Sequence, residues 1–544
     1  MEWLVPRRRR LRRLRECWGK PGNKDIWYAD RCFELTRTHD PLREVDDRSW
    51  RDLECPRLFA QMDTTVTGIG SQYLYRQLRS YADREQVHDR FALFALLRSD
   101  QPLRERIQLA LMPLRHGDAS LAIALDLFDE PARPLQHWPV LLAWSALSMA
   151  ALAALILLHG VLLTLTVLGV LVVNLVVLLR SASRFGRTLD AIAGHAQLLR
   201  VANALADIRI ERGHAVAPII AGADSARMRV RRVLAAFFKL KKLPLGIDDW
   251  LNVLFLVKLL VSQWTAQRLG TIRGDLRALF DMVGALDAAI AVAGFLESRS
   301  VSCAAEFVAQ GRLELLDARH PLLDAAVPNS IRLSGRSLLI TGSNAAGKTT
   351  FLKTVACNVL LGRTLGVCCA AAAKIPQVPL MARIRNEHSL QSGKSHYLAE
   401  AEAMRKFLSL AGHPAPPIYF VDEPFSGTNT RERIAVAAAV LRALAVRTPV
   451  LATTHDTELQ ALLADGFDVC HFCENPDVEG FFDYTLRSGA GSEGNAIRLL
   501  ERLGFPPFVI AAAQIRLLAG GPVVATTDAH SGSMRPAKTE CADD

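Results

Sequence analysis

Gly342, Gly347, Lys348 and Thr349 follow the pattern G-x-x-x-x-G-K-[ST], inside the stretch LLITGSNAAGKTTFLKTVACNVL. An apolar run of strand character enters this loop and an amphipathic helix leaves it. Backbone N–H groups of such a loop, with the helix N-terminus behind it, bind phosphate oxygens. The lysine reaches the β- and γ-phosphates and the threonine hydroxyl reaches Mg2+. Further on, IYFVDEP ends an apolar run in Asp422 and Glu423. Asp422 is suited to hold Mg2+, directly or through water, and Glu423 to polarise an attacking water. A third run, VLATTHD, reaches His455, placed by chain order to sense the γ-phosphate. The loop pattern alone has false positives, but three strand ends in this order predict an ATPase that uses ATP and Mg2+.

The elements that must position these residues change character along the chain. Residues 50–135 and 185–300 read as helical, with apolar positions recurring at three and four, as in DRFALFALLRSDQPLRERIQLALMPL. From about residue 305, short β-like runs alternate with helical stretches, the pattern of an α/β nucleotide-binding domain. The last stretch, AGGPVVATTDAHSGSMRPAKTECADD, is polar and aperiodic, so disorder is expected there.

The net charge of +10 suggests a nucleic-acid partner until it is localised. Most of it sits in residues 1–24, where RRRRLRRLR could touch nucleic acid or anionic lipid, or form a solvated, disordered arm. No apolar segment follows the arginines, which excludes a secretory signal. The cysteines are scattered, as in a reducing compartment. In CHFC, Cys470 and Cys473 lie in a strand-like run, where residues three apart face opposite ways and cannot share a metal.

Between Arg133 and Arg180 there is no Asp, Glu, Lys or Arg. His159-Gly160 divides this block into 139–158 and 161–179, each close to the roughly 20 residues that cross a bilayer. Apolarity on every face argues against a buried pair of core helices and for a transmembrane hairpin through residues 139–179. Arg133 on one flank and Arg180, Arg184 and Arg187 on the other place both flanks in the cytoplasm. A second apolar run, WLNVLFLVKLLVSQW, is shorter and contains Lys258, so a core helix is expected.

The motif LDARHPLL, with TGSNAAGKTTFLKT, LQSGKSHYLAEAEAM, VDEPFSGTNTRER and ATTHDTEL, resembles the MutS family of DNA mismatch-repair ATPases. The resemblance is dense over 315–515 and thinner over 50–130 and 185–305. It is absent at the N-terminus and in the apolar block, and implies a MutS-like helical core at 50–136 and 183–305 and a P-loop ATPase domain at 306–518; composition adds a basic arm and linker at 1–49, the transmembrane hairpin at 137–182 and a disordered tail at 519–544. Transporter-type ATPases share DEP and an S-G signature, but place that signature further from the loop and lack ARHPLL.

By resemblance, Gly342, Ser343, Asn344, Ala345, Ala346, Gly347, Lys348, Thr349 and Thr350 would wrap the triphosphate, and Thr349 and Asp422 would hold Mg2+. Ser392, Gly393 and Ser395 would reach the partner's γ-phosphate in a homodimer. Gly427 and Thr428 would link the two sites, Glu423 would activate water, and His455 would act as the switch. The loop departs from the family's usual G-P-N-M-G-G-K-S at Ser343, Ala345 and Ala346, and Ala326 stands where relatives often carry an aromatic that stacks on adenine. The N-terminal segment is too short for the family's mismatch-reading domain, and Phe295-Leu296-Glu297 reads as core packing. The expectation is an ATPase in the cytoplasmic membrane, coupled to double-stranded or branched DNA. The alternative is an ATP-driven switch acting on a membrane or protein partner. Transport fits poorly, because the spans carry no charges to line a path.

Overall fold

A computed structural model describes residues 6–22, 27–115, 117–129, 138–209, 215–241, 247–343, 346–384, 396–475, 478, 481–491, 496–502 and 504–518. The fold is mostly helical up to residue 297 and mixed α/β beyond it. Several helices start where a short polar side chain can close the first turn. Thr67, Asp83 and Asp100 accept from the backbone N–H of Gly70, Gln86 and Leu103, each bond 2.9 Å long. Such a cap is worth about 1 kcal/mol.

The spine of the helical part is Arg273–Glu297, buried almost throughout from Leu276 onward. Gly68–Arg79 lies tightly against it: a Cβ on Gly284 would come within 2.6 Å of the Tyr73 Cβ. The Asp287 carboxylate, fully buried, accepts from the N–H of Val66 (2.8 Å) and Thr67 (2.7 Å) and from the Thr67 hydroxyl (2.7 Å). Phe33, Trp50 and Phe59 meet the Tyr75 ring edge-on at 5.8, 5.3 and 5.0 Å, contacts worth about 0.5–1.5 kcal/mol each beyond their burial.

The arginine run is not a disordered arm. Arg7–Cys17 is a helix, a form that arginine favours. Arg15 grips Glu105 with two bonds (2.6 and 2.9 Å), holding that carboxyl down at about 2, and the Arg104 guanidinium lies 3.6 Å over the Trp18 ring.

Two helices form the apolar hairpin, Trp138–Leu158 and Val161–Ala206. His159, with φ +44°, turns the chain between them. Only 11% of an 18-residue apolar stretch of Trp138–Leu158 and 6% of one in Val161–Arg180 is buried, with Leu158 and Val161 72% and 80% exposed. Val257–Glu297 is also long and apolar, but its most apolar stretch of 18 residues is 89% buried, as a core segment is. The single core helix expected over the WLNVLFLVKLLVSQW run is corrected: it breaks at Leu256, φ +54°, into Ile247–Phe255 and Val257–Leu269, and Trp250 is 69% exposed.

The α/β part holds two sheets. The first uses β1 (Cys303–Val308), β2 (Arg312–Ala318), β3 (Asn329–Ser334), β5 (Val367–Cys368) and β6 (Ala372–Pro376), in the order β3-β2-β6-β1-β5. The second uses β4 (Ser337–Thr341), β7 (Leu380–Arg383), β8 (Ile418–Asp422), β9 (Val450–Thr453), β10 (Phe467–His471) and β11 (Arg487–Ser488), in the order β11-β10-β4-β9-β8-β7. All neighbours from β10 to β7 are parallel. Strands β4, β8 and β9 are buried at every position, which explains their unbroken apolar runs. Helices His396–Ala411 and Thr430–Leu444 pack Met404, Phe407 and Leu441 onto Tyr419, Val421 and Leu339 of this sheet.

The helical and α/β parts are joined by charge as well as packing. Lys353, on the helix Lys348–Thr364, reaches Glu54 at 2.6 Å, and Arg48 donates to the Ala399 carbonyl at 3.0 Å. Residues 473–483 and 492 onward form a separate unit. In it, Ala496–Arg502 and Pro507–Leu518 are tied by Gln514 to Glu501 at 3.0 Å, and Arg502 covers the Phe481 ring.

Candidate active site

Strand register brings the sequence-derived residues together. Ile340 on β4 lies opposite Thr453 on β9, and Thr453 lies opposite Asp422 on β8. Three strands therefore end in one row, and the loop from Gly342 begins at its edge. Carboxyl ends of parallel strands are where such sheets bind ligands.

Gly342 has φ +128°, and a Cβ there would meet the Phe472 carbonyl oxygen at 2.2 Å, so only glycine fits. Gly347, at φ +101°, opens the helix Lys348–Thr364. Lys348 is 1% exposed; its ammonium donates to the carbonyls of Gly342 (2.6 Å) and Ser343 (3.1 Å) and lies 3.7 Å from Glu423. Burial pulls its pKa below the usual lysine value, while Glu423 and Asp422 pull the other way. The Ser343 hydroxyl is buried with no partner among the described residues. Ala346 is 1% exposed. Thr350 is exposed at the start of the same helix.

Thr349 donates from its hydroxyl to both oxygens of Asp422, at 3.0 and 3.1 Å. Thr453, which the sequence did not mark out, donates to Asp422 Oδ1 at 2.5 Å. Its carbonyl and its hydroxyl also accept from the Glu423 N–H, at 3.2 and 3.1 Å. These bonds help hold Glu423 at φ +45°, an unfavourable region for a side-chain-bearing residue. Phe425, at φ +60°, is pinned by its N–H to Glu400 at 2.7 Å. His455 Nδ1 lies 3.6 Å from Glu423 Oε1, with Nε2 3.8 Å from Asp456 Oδ1. Asp456 is itself held by Arg433 through bonds of 3.0 and 2.6 Å.

Lys348, Thr349, Asp422, Glu423 and His455 thus converge as their order implied. Gly427 and Thr428 are engaged elsewhere, against Tyr397 and with Glu432 at 3.2 Å. Asn344, Ala345, Ser392, Gly393 and Ser395 lie outside the described residues. Ala326 is buried and offers no aromatic face, but Tyr484, 45% exposed, stands beside Gly347: a Cβ on that glycine would be 3.1 Å from its ring. Asn329 fixes the Tyr484 segment by donating to its carbonyl at 2.9 Å. No local pattern marks Tyr484, because the tertiary fold alone brings it to the loop. Among the described residues no His, Cys, Asp or Glu cluster could hold a structural metal, Cys470 and Cys473 included.

A buried lysine, an unpartnered hydroxyl in a glycine-bounded loop, and a threonine hydroxyl on an aspartate fit a phosphate ester with a hard, oxygen-seeking cation. Residues 338–519 match MutS domain V. The chain is 30% identical over 214 residues to the DNA mismatch repair protein MutS of Thermus aquaticus, covering 38% of this chain and 26% of that protein. It is 33% identical over 216 residues to Endonuclease MutS2 of Thermus thermophilus, covering 39% and 29%. Endonuclease MutS2 of Anaeromyxobacter is 32% identical over 218 residues, covering 38% and 27%. The match therefore spans little more than a quarter of each relative's length. Residues 338–519 thus carry domain V of the MutS family.

Proposed function

We propose that this protein is a membrane-anchored, Mg2+-dependent ATPase of MutS type, working as a homodimer and coupling ATP to DNA. The observation that carries this reading is the convergence of Lys348, Thr349, Asp422, Thr453 and Glu423 at the ends of β4, β8 and β9. Lys348 and the loop N–H groups would bind the β- and γ-phosphates. Thr349 and Asp422 would hold Mg2+, which when bound neutralises phosphate charge. Glu423, its backbone locked by Thr453, would orient water and take its proton, with His455 beside it to sense the γ-phosphate. Tyr484 would supply the stacking face that Ala326 lacks. Ser392, Gly393 and Ser395 would complete the partner's site, and Gly427 and Thr428 would link the two.

The exposed, charge-free hairpin supports anchoring in the cytoplasmic membrane, with Arg180 on the same side as the ATPase. The arginine helix is remote from that membrane. Arg7 and Arg10 line a cavity with Ala204 and Asp207, 24 residues beyond Arg180 along one continuous helix, or about 36 Å at 1.5 Å per residue. That is several times the screening length of about 8 Å. These arginines therefore suit a soluble polyanion better than the bilayer holding the hairpin, and DNA phosphate is the partner that the relatives' name supports.

The test is Glu423→Gln in detergent, titrated with matched, mismatched and branched duplexes, with and without ATP, across a salt series. ATP-gated, salt-sensitive binding is expected. ATP-driven dimerisation with no DNA binding at low salt would instead leave a switch acting on membrane or protein partners, the reading favoured by the modest charge outside residues 1–24.

A further inference from the structure

The hairpin is apolar on every face, yet it carries Trp144, Ser145 and Asn174, and Asn174 is fully buried. Each of them leads to the same place. Where the helix Ile247–Phe255 stops at Leu256, the carbonyls of Val253, Leu254 and Phe255 lose the N–H partners that a continuing helix would supply. Asn174 Nδ2 donates to Val253 at 3.0 Å and to Leu254 at 2.8 Å, and Ser145 Oγ donates to Phe255 at 2.6 Å. Trp144 Nε1 donates to Asn174 Oδ1 at 2.8 Å, fixing which way that amide points. On the other side of the break, the Lys258 N–H finds Asn252 Oδ1 at 3.1 Å. Leu256 and Leu259 are buried against Leu141, Trp144, Val177 and Leu178, which come from both hairpin helices.

The depth of this contact follows from helix geometry. Asn174 precedes Arg180 by six residues and Ser145 follows Trp138 by seven, so the break lies about 9–11 Å inside the hairpin's open end. A hydrocarbon core about 30 Å thick would place it roughly a third of the way in. Water cannot satisfy a freed carbonyl there, so the break needs protein donors, and the hairpin supplies one for each. Trp250, 69% exposed, and the partly buried Leu251, Val253, Leu254 and Phe255 continue the apolar surface of the hairpin. Tryptophan is enriched at the membrane–water boundary.

We infer that Ile247–Phe255 is a third membrane-seated element, lying in the cytoplasm-side boundary of the bilayer, with lipid covering its exposed face and with Asn174 and Ser145 capping its end. This rests on the reading of the hairpin as a membrane anchor. The occupant of that face is acyl chain and headgroup, because the face is continuous with the hairpin surface. Val257–Leu269 then carries the chain from this element into the buried spine Arg273–Glu297.

The test places one spin label at a time in the full chain, in lipid nanodiscs, after Cys17, Cys303, Cys470, Cys473 and Cys541 are changed to Ser; the other cysteines are buried. Labels go on Trp250→Cys, on Leu165→Cys in the hairpin and on Val446→Cys in the exposed α/β part. Collision with oxygen, which concentrates in lipid, is compared with collision with a water-soluble nickel chelate. Positions 250 and 165 are expected to favour oxygen, with ratios several-fold above that at 446. Adding Asn174→Leu should lower the ratio at 250 and leave 165 unchanged. If 165 reports lipid and 250 reports water, the third element is overturned and the anchor stands. If 165 reports water, the anchoring reading itself fails. A ratio at 250 unmoved by Asn174→Leu would overturn the capping role.

Discussion

Lowering the pH from 7.5 to 5.0 should weaken the fold through His320, in the loop after β2. The side chain is 7% exposed, and its Nδ1 accepts from the Leu322 N–H at 3.1 Å, which requires a lone pair on that nitrogen. Burial pushes the imidazole down from 6.5 to about 4, with Lys353 and Arg57 adding to the push and Glu54 opposing it. Only the unfolded chain takes up the proton over the intervening range. Full stability is therefore present above 6.5 and is lost as pH falls toward 4. Between pH 7.5 and 5.0 the unfolded chain gains about 2 kcal/mol from this one group. For a cooperative unit of 150–250 residues, that is roughly 4–8 °C in melting temperature. The assay is thermal unfolding in detergent at both pH values, for the wild type and His320→Asn. Asparagine can keep an acceptor for Leu322 while removing the titration. The variant should lose about 4–8 °C less than the wild type on acidification. Equal losses would show that His320 does not carry the pH dependence and would refute the reasoning.

Tyr484→Ala should weaken ATP binding by about 1–3 kcal/mol, the usual worth of a base on an aromatic face, while Tyr484→Phe keeps it. Calorimetric titration checks this, and equal affinities for all three proteins would remove Tyr484 from the site. Gly342→Ala forces a side chain into φ +128° and onto the Phe472 carbonyl. Strain and overlap together should cost about 2–6 kcal/mol, read as a lower melting temperature with ATP binding lost. An unchanged melting temperature would mean the loop can be built another way.

What the sequence by itself determined was local. The phosphate loop, the carboxylates ending one apolar run and the histidine following another are contiguous signatures, and each keeps its role wherever its strand goes. The hairpin is equally local, because a helix apolar on every face finds no buried side in a protein core, and its exposed surface follows. Boundaries and breaks were less visible. The run from Trp250 to Trp264 reads as one core helix, since no glycine or proline announces that Leu256 will leave helical geometry. That break is tolerable only because Asn174 and Ser145, far away in the chain, supply donors for the freed carbonyls. Thr453 and Tyr484 were missed for the same reason. One joins the site through the register of β8 with β9, and the other because a segment after β10 returns beside Gly347. The pairing of Lys353 with Glu54, and the docking of an arginine helix by Glu105, also belong to tertiary structure. A motif records which atoms a short stretch can offer; strand register and long-range packing decide which atoms from other stretches will meet them.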